Sequence, residues 1–269
     1  MKAASIRSTA MYAYAVLLLA FILVPLLIIV PMSLTSGNSL AFPTPGYSTR
    51  WYQELLDDPR WFSSFINSVV VALAATFFSS LLGIPAAIGL VWGHFPGKRI
   101  VYAVVAAPLV APVVIVGVAA FSFFAAAGMT GSLWALILTH TALAVPVMLT
   151  TVVASLQGFD RTLVRAAASL GAGTMRTFFK VILPLIAPGV VSGAIIAFII
   201  SFDEVVVASF LTTGEQRTLP RMIFSGVRES VSPAIASVAV LLVLFSALLL
   251  GVIAWLQGRA ARMRAGAAS

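Results

Sequence analysis

Apolar residues fill this chain in long stretches, and the polar positions between them fall in short clusters. A hydrocarbon layer about 30 Å thick is crossed by roughly 20 apolar residues in helical form. Apolar runs of at least that length lie at 11–33, 64–92, 100–127, 132–157, 188–212 and 233–257. The pattern predicts an all-α membrane protein with six transmembrane helices. The first run follows Lys2 and Arg7 as a signal peptide would. It is longer than a usual signal core, however, and continues into Val30-Pro31-Met32-Ser33 without a small-x-small cleavage site. It reads as an uncleaved first helix.

Composition fits the pattern. The 269 residues are 61% hydrophobic and only 9% charged, against about a quarter charged in soluble proteins, and the mean hydropathy is +1.10. A net charge of 16 − 8 = +8 would suit nucleic acid. The basic residues are scattered among apolar runs, without a stripe or interleaved aromatics, which argues against that partner. The absence of Cys excludes a disulfide framework, thiolate catalysis and a Cys-ligated metal.

Charge instead sets topology. With six spans both termini share one side with the loops near 93–99 and 158–187. That side carries Lys2, Arg7, Lys98, Arg99, Arg161, Arg165, Arg176, Lys180, Arg259, Arg262 and Arg264, eleven residues. The other side carries five: Arg50, Arg60, Arg217, Arg221 and Arg228. The excess predicts cytoplasmic termini, and Trp61, Trp92, Trp134 and Trp255 fall at span ends as interfacial anchors. Pro85, Pro108, Pro112 and Pro146, with many Gly, Ala and Ser residues, suit closely packed helices with several bends.

The segment 158–187 is long for a connection inside a compact membrane protein. It reads as two short helices. Asp160 caps the first, Leu163, Ala166, Ala167 and Leu170 share one face, and Gly171 stops it. The second starts near Thr174 and aligns Met175, Phe178, Phe179 and Ile182, with Arg176 and Lys180 on another face. Pro184 and Pro188 are expected to hinder continuation into the fifth span. The residue pattern supports two readings equally: a small-residue plug for a neighbouring protein, or an elbow lying on the headgroups.

A resemblance favours the first. Arg165-Ala166-Ala167-Ala168-Ser169-Leu170-Gly171, nine further residues and Val181-Ile182-Leu183-Pro184 closely resemble the Glu-Ala-Ala-x3-Gly-x9-Ile-x-Leu-Pro loop of inner-membrane permeases of binding-protein-dependent ABC importers. Arg165 stands where that family has Glu, and Val181 where it has Ile. The resemblance implies a type I importer permease fold, a single transmembrane domain over 1–269, and a cytoplasmic coupling segment at 158–187. It assigns ATPase docking to Ala166, Ala167 and Gly171, with Leu183 and Pro184 closing the motif and Arg165 in a peripheral, altered role. Ser201 to Phe210, followed by Thr218-Leu219-Pro220-Arg221 and Val231-Ser232-Pro233, is similar to the spermidine/putrescine branch.

Asp203 and Glu204 interrupt the fifth apolar run. Each acid at mid-bilayer costs roughly 2.5–3.5 kcal/mol on insertion scales, so an acid there needs water, a partner or a ligand. No Lys or Arg lies in the six runs, and a cationic solute would compensate the charge. Neighbouring residues project about 100° apart on a helix, so the expected arrangement has one acid lining a substrate pathway and the other hydrogen-bonded or reaching a partner. Asp203 is the expected lining residue, partly on the resemblance. The competing reading is an ion pair with a second permease subunit, or a protonated acid held within the bundle.

Other motifs carry less. Gly93-His94-Phe95-Pro96-Gly97-Lys98-Arg99 lacks the spacing and the Ser or Thr of a phosphate loop, and Gly171-Ala172-Gly173 lacks a third Gly and a preceding strand. His94 reads as a solvated loop residue and His140 as hydrogen-bonded within the fourth span; two isolated histidines make no metal site. Asn67 suits a pathway position or a helix cap. Pro220 to Glu229 reads as a short outer helix, with Ser232 and Pro233 opening the last span. In the family this region helps close the outer gate, and Arg217, Arg221, Arg228 and Glu229 could meet the binding protein there.

No catalytic residue or cofactor is expected in this chain. The resemblance implies a second homologous permease subunit, two ATPase subunits that bind ATP and Mg, and an extracytoplasmic solute-binding protein, all at a bacterial inner membrane. The implied activity is import of a small cationic solute such as putrescine or spermidine by alternating access. Another amine-bearing solute, an opine or an aminophosphonate, meets the same acidic requirement, and a cation-coupled secondary transporter is the rival class.

Overall fold

A computed structural model describes residues 2–229 and 232–266. Val231 lies outside the described residues, as do the side chains of Lys2, Arg7, Glu229, Trp255, Arg259, Arg262 and Arg264. The helices are α1 (Lys2–Ser33), α2 (Arg50–Asp57), α3 (Pro59–Trp92), α4 (Lys98–Ala106), α5 (Val113–Ala126) and α6 (Leu133–Gln157). They continue with α7 (Thr162–Ser169), α8 (Thr174–Thr177), α9 (Leu183–Phe202), α10 (Val206–Leu211), α11 (Leu219–Glu229) and α12 (Pro233–Gly266).

Four helical segments among the described residues are long and apolar enough to cross a membrane: Met11–Ser33, Pro59–Trp92, Leu133–Gln157 and Thr174–Phe202. The bent pair Lys98–Leu109 and Val113–Ala126 adds a fifth if it forms one span, and Pro233–Leu248 is a shorter apolar stretch. The described residues form two compact units, one from 1–59 with 225–269 and the other from 60–224.

In the first unit α1 packs along α12, where the Ser237 hydroxyl donates to the Ser33 carbonyl at 3.0 Å. Ser33 Oγ also meets the Tyr52 hydroxyl of α2 at 2.7 Å, and the Trp51 indole donates to the Thr35 carbonyl at 2.9 Å.

The second unit is organised by the pair α6 and α9. Gly189 and Gly193, four apart on one face of α9, let the backbones approach closely. A Cβ at Gly189 would stand 1.8 Å from Ser155 Oγ, and one at Gly193 2.3 Å from Thr151 Oγ1. One apolar cluster joins Ile84 and Leu90 of α3, Met148, Val152 and Leu156 of α6, and Ile182 and Ile186. A second gathers Val71, Phe124, Leu136, Val207 and Leu211.

One expected bend is located, and two expectations need correction. The run 100–127 is not one straight helix: it breaks around Pro112, and its halves turn by 99°. Pro112 cannot donate to the ladder, and the preceding 3₁₀ turn at Ala107–Leu109 contains Pro108. Pro184 and Pro188 do not stop the chain's approach to the fifth span, because helix is continuous from Thr174 to Phe202. A π turn at Phe178–Ile182 widens the helix just ahead of Pro184, where its ring would otherwise crowd the carbonyl four residues back. Finally, the run 188–212 is broken after Phe202 and resumes as α10.

Candidate functional site

The break in the fifth apolar run is built by Glu204. Its Oε1 accepts the backbone N–H groups of Val206 (2.8 Å) and Val207 (2.9 Å), and its Oε2 accepts that of Ala208 (3.0 Å). These are first-turn donors of α10, which lack partners within the helix, and a carboxylate there also complements the positive end of the helix. Helix is interrupted at residues 203–205, and the Glu204 side chain satisfies the N–H groups so exposed.

His140, on the third turn of α6, closes the other side of this carboxylate. Its Nε2 lies 3.4 Å from Glu204 Oε2, and its Nδ1 is 2.7 Å from Ser201 Oγ. The His140 side chain is fully buried and that of Glu204 is 8% exposed. A Ser201 hydroxyl donating to Nδ1 leaves Nε2 to carry the proton that faces Glu204. That contact is electrostatic and too poorly aligned for a full hydrogen bond, and Nε2 has no other partner among the described residues.

Asp203 differs from its neighbour. Its backbone N–H closes the last turn of α9 on the Ile199 carbonyl at 3.0 Å, while its side chain is exposed and has no hydrogen-bond or ion-pair partner among the described residues. Beside it in the chain, Phe202 stacks on Phe198 at 5.6 Å and meets Phe65 edge-on at 6.4 Å. The acid therefore follows directly on an aromatic cluster.

At the other end of the Thr174–Phe202 rod, roughly 40 Å away at 1.5 Å per residue, lies the segment 158–182. Asp160 Oδ1 accepts the Thr162 N–H at 2.9 Å and Oδ2 the Thr162 hydroxyl at 2.6 Å, opening α7. These two bonds from Thr162 hold the Asp160 carboxyl below the usual carboxylate range. Gly171, at φ +78°, ends α7: its N–H bonds Ala168 O at 2.9 Å and the Ala172 N–H bonds Ala167 O at 3.0 Å, the paired bonds of a Schellman stop. Val164 and Phe178 pack on the core cluster of α3, α6 and α9. Arg165, Ala166 and Gly171 face out, as do Leu170 (88% exposed) and Met175 (74%). Ala167 and Leu183 are half-buried and Pro184 is exposed.

The expected site residues thus form two groups, the acids at one end of the rod and the α7 residues at the other. His140 and Ser201 were not expected in the acid group. The available signal was a histidine inside an apolar run and a serine two residues before the acid pair. Asn67 neither caps nor opens a helix, since α3 begins at Pro59; its amide donates to the carbonyls of Glu215 (2.8 Å) and Arg217 (3.1 Å). His94 lies exposed in the loop after α3.

The described residues make a multi-pass, all-helical membrane protein in which the short helix α7 precedes the continuous helix Thr174–Phe202. Residues 79–262 match the model of the family described as binding-protein-dependent transport system inner membrane component, and the chain belongs to that family. It is 35% identical over 256 residues to the putrescine transport system permease protein PotI of Escherichia coli, covering 91% of this chain and 89% of that one. It is 31% identical over 234 residues to the spermidine/putrescine transport system permease protein PotC of Haemophilus influenzae, covering 87% and 91%. Among solved structures, a bacterial ABC transporter involved in import of the acidic polysaccharide alginate shares the fold, with a TM-score of 0.75 over 94% of this chain and 97% of that chain, at 16% identity.

Proposed function

We propose that this chain is the membrane-spanning permease subunit of an ATP-driven importer that carries a small polyamine, putrescine or spermidine, into the cytoplasm. The observation that carries the reading is the exposed, unpartnered Asp203 carboxylate at a helix break, in a chain whose relatives are named for putrescine and spermidine. Glu204 holds the break open and is itself engaged by backbone donors and faced by His140, so Asp203 is the acid left for a cation. The aromatic cluster of Phe65, Phe198 and Phe202 suits the methylene stem and the charge of an alkylammonium.

The chain itself hydrolyses nothing. ATP and Mg are bound by two ATPase subunits, which dock on α7 through Ala166, Ala167 and Gly171, with Arg165 at the edge and Leu183 and Pro184 joining α7 to the rod. Both termini lie in the cytoplasm, a homologous permease completes the pathway, and a solute-binding protein delivers the amine from outside. Closure of the ATPases moves α7, and the continuous helix Thr174–Phe202 carries that displacement to the break at Asp203. Access then alternates between the two sides.

Reconstitution tests this directly. The assembled complex in liposomes should take up labelled putrescine only when ATP and the binding protein are both supplied. Uptake by this chain alone, driven by an ion gradient, would overturn the proposal.

A further inference from the structure

Beside Arg161, at the start of the segment 158–182, the loop from α3 into α4 forms a concavity that the transport reading does not use. It has a volume of about 420 Å³ and is lined by Leu90, Val91, Lys98, Arg99, Tyr102 and Val153. The lining divides by chemistry. Leu90, Val91 and Val153 form an apolar floor from α3 and α6, while Lys98, Arg99 and the half-exposed Tyr102 stand on the first turns of α4.

The charge in this part of the chain is unbalanced. Between residues 93 and 187 the chain carries six basic residues (Lys98, Arg99, Arg161, Arg165, Arg176, Lys180) and one acid, Asp160, a net of 6 − 1 = +5. Asp160 is engaged by Thr162. Arg161 is held over the Trp92 ring at 5.1 Å and donates to the Val91 carbonyl at 3.4 Å, which keeps its charge beside the cavity. Among the described residues Lys98 Nζ reaches only the Gly93 carbonyl, at 3.3 Å, and the exposed Arg99 has no partner.

We infer that this cavity binds the headgroup of an anionic bilayer phospholipid, with the phosphate between Lys98 and Arg99, Tyr102 at its rim, and an acyl chain over Leu90, Val91 and Val153. Basic pockets between membrane helices recognise such headgroups through charge, while the bilayer supplies the apolar part of the ligand. Soluble phosphate would meet the same charges but gain nothing from the floor. Arg161, which donates to the carbonyl of the cavity residue Val91, links a bound lipid to the start of the segment 158–182.

The test is lipid retention by the complete transporter, reconstituted in equal parts phosphatidylglycerol and phosphatidylcholine, re-extracted in mild detergent and weighed by native mass spectrometry. The wild type should retain phosphatidylglycerol over phosphatidylcholine. The double substitution Lys98→Gln/Arg99→Gln should weaken that retention roughly thirtyfold, the effect expected of two basic residues near an anionic surface. Lys98→Arg/Arg99→Lys should restore it, and the charge-matched Arg176→Gln/Lys180→Gln should leave it unchanged. Equal retention of both lipids, loss in the charge-matched control, or displacement of the lipid by millimolar inorganic phosphate would each overturn the assignment. So would unchanged retention in the Lys98/Arg99 variant, or its loss of the ATPase with lipid retained, which would assign these residues to a protein contact.

Discussion

His140 Nε2 and Glu204 Oε2 lie 3.4 Å apart, joining the third turn of one membrane helix to the break in another with both side chains almost wholly removed from solvent. This pairing, with three backbone donors on the same carboxylate, divides the acid pair. Glu204 maintains the shape of the break, and Asp203 presents the free charge.

That division predicts opposite outcomes for two alanine substitutions. Glu204→Ala leaves the N–H groups of Val206, Val207 and Ala208 and the His140 ring without their acceptor, a loss of about 1–3 kcal/mol for buried groups left unsatisfied. Asp203→Ala should stay within about 0.5 kcal/mol of wild type, as exposed substitutions usually do. Denaturant unfolding of the solubilised complex measures both. Equal losses would refute the division.

The contact of α6 with α9 predicts a second effect. With Thr151 Oγ1 2.3 Å and Met148 Sδ 2.9 Å from a Cβ at Gly193, Gly193→Leu must force the helices apart, at about 1–3 kcal/mol for an overpacked contact. Thermal aggregation of the purified complex should begin at a lower temperature, and transport should fall with it. An unchanged onset would mean that α9 does not bear on α6 as described.

Gly171 predicts a local effect. At φ +78° a β-branched side chain is disfavoured by about 1–2 kcal/mol. Gly171→Val should therefore speed hydrogen exchange at the amides of Gly171 and Ala172, which close on Ala168 and Ala167, while leaving the α6 amides protected. Unaltered exchange at the stop would remove the left-handed turn from the account.

Asp160 gives a pH dependence with a definite sign. Its folded-state pKa is depressed below the ordinary 3.8 by the Thr162 hydroxyl and amide. Its contribution to α7 is therefore complete above that value and is lost as pH falls through the lower folded value. Protection of the Thr162 amide should be flat above about pH 5 and decline only in acid. Exchange measured across that range checks it, and a decline near neutrality would contradict it.

The parts of this structure visible in sequence are those set by near neighbours. Gly171, Asp160 and the small residues between them specify α7 within a dozen positions, and each apolar run follows from its own composition. The bend at Pro112 was signalled by two prolines, but its 99° angle depends on packing, including the close approach of Gly117 to Phe210. Pro184 misled because a π turn, which leaves no compositional trace, precedes it, and Pro188 is carried inside α9. The Glu204 partner was hidden for another reason: His140 is 64 positions away and meets it only once α6 and α9 have packed.

The central claim is that the Asp203 charge faces the amine as it crosses. The most direct measurement is ATP-driven uptake of labelled putrescine by the reconstituted importer, wild type against Asp203→Asn. A desolvated charge pair is worth at least about 1.5 kcal/mol, so the substitution should slow uptake roughly tenfold or more, with ATPase co-elution unchanged and partial recovery in Asp203→Glu. Wild-type uptake by an intact Asp203→Asn complex would contradict the account.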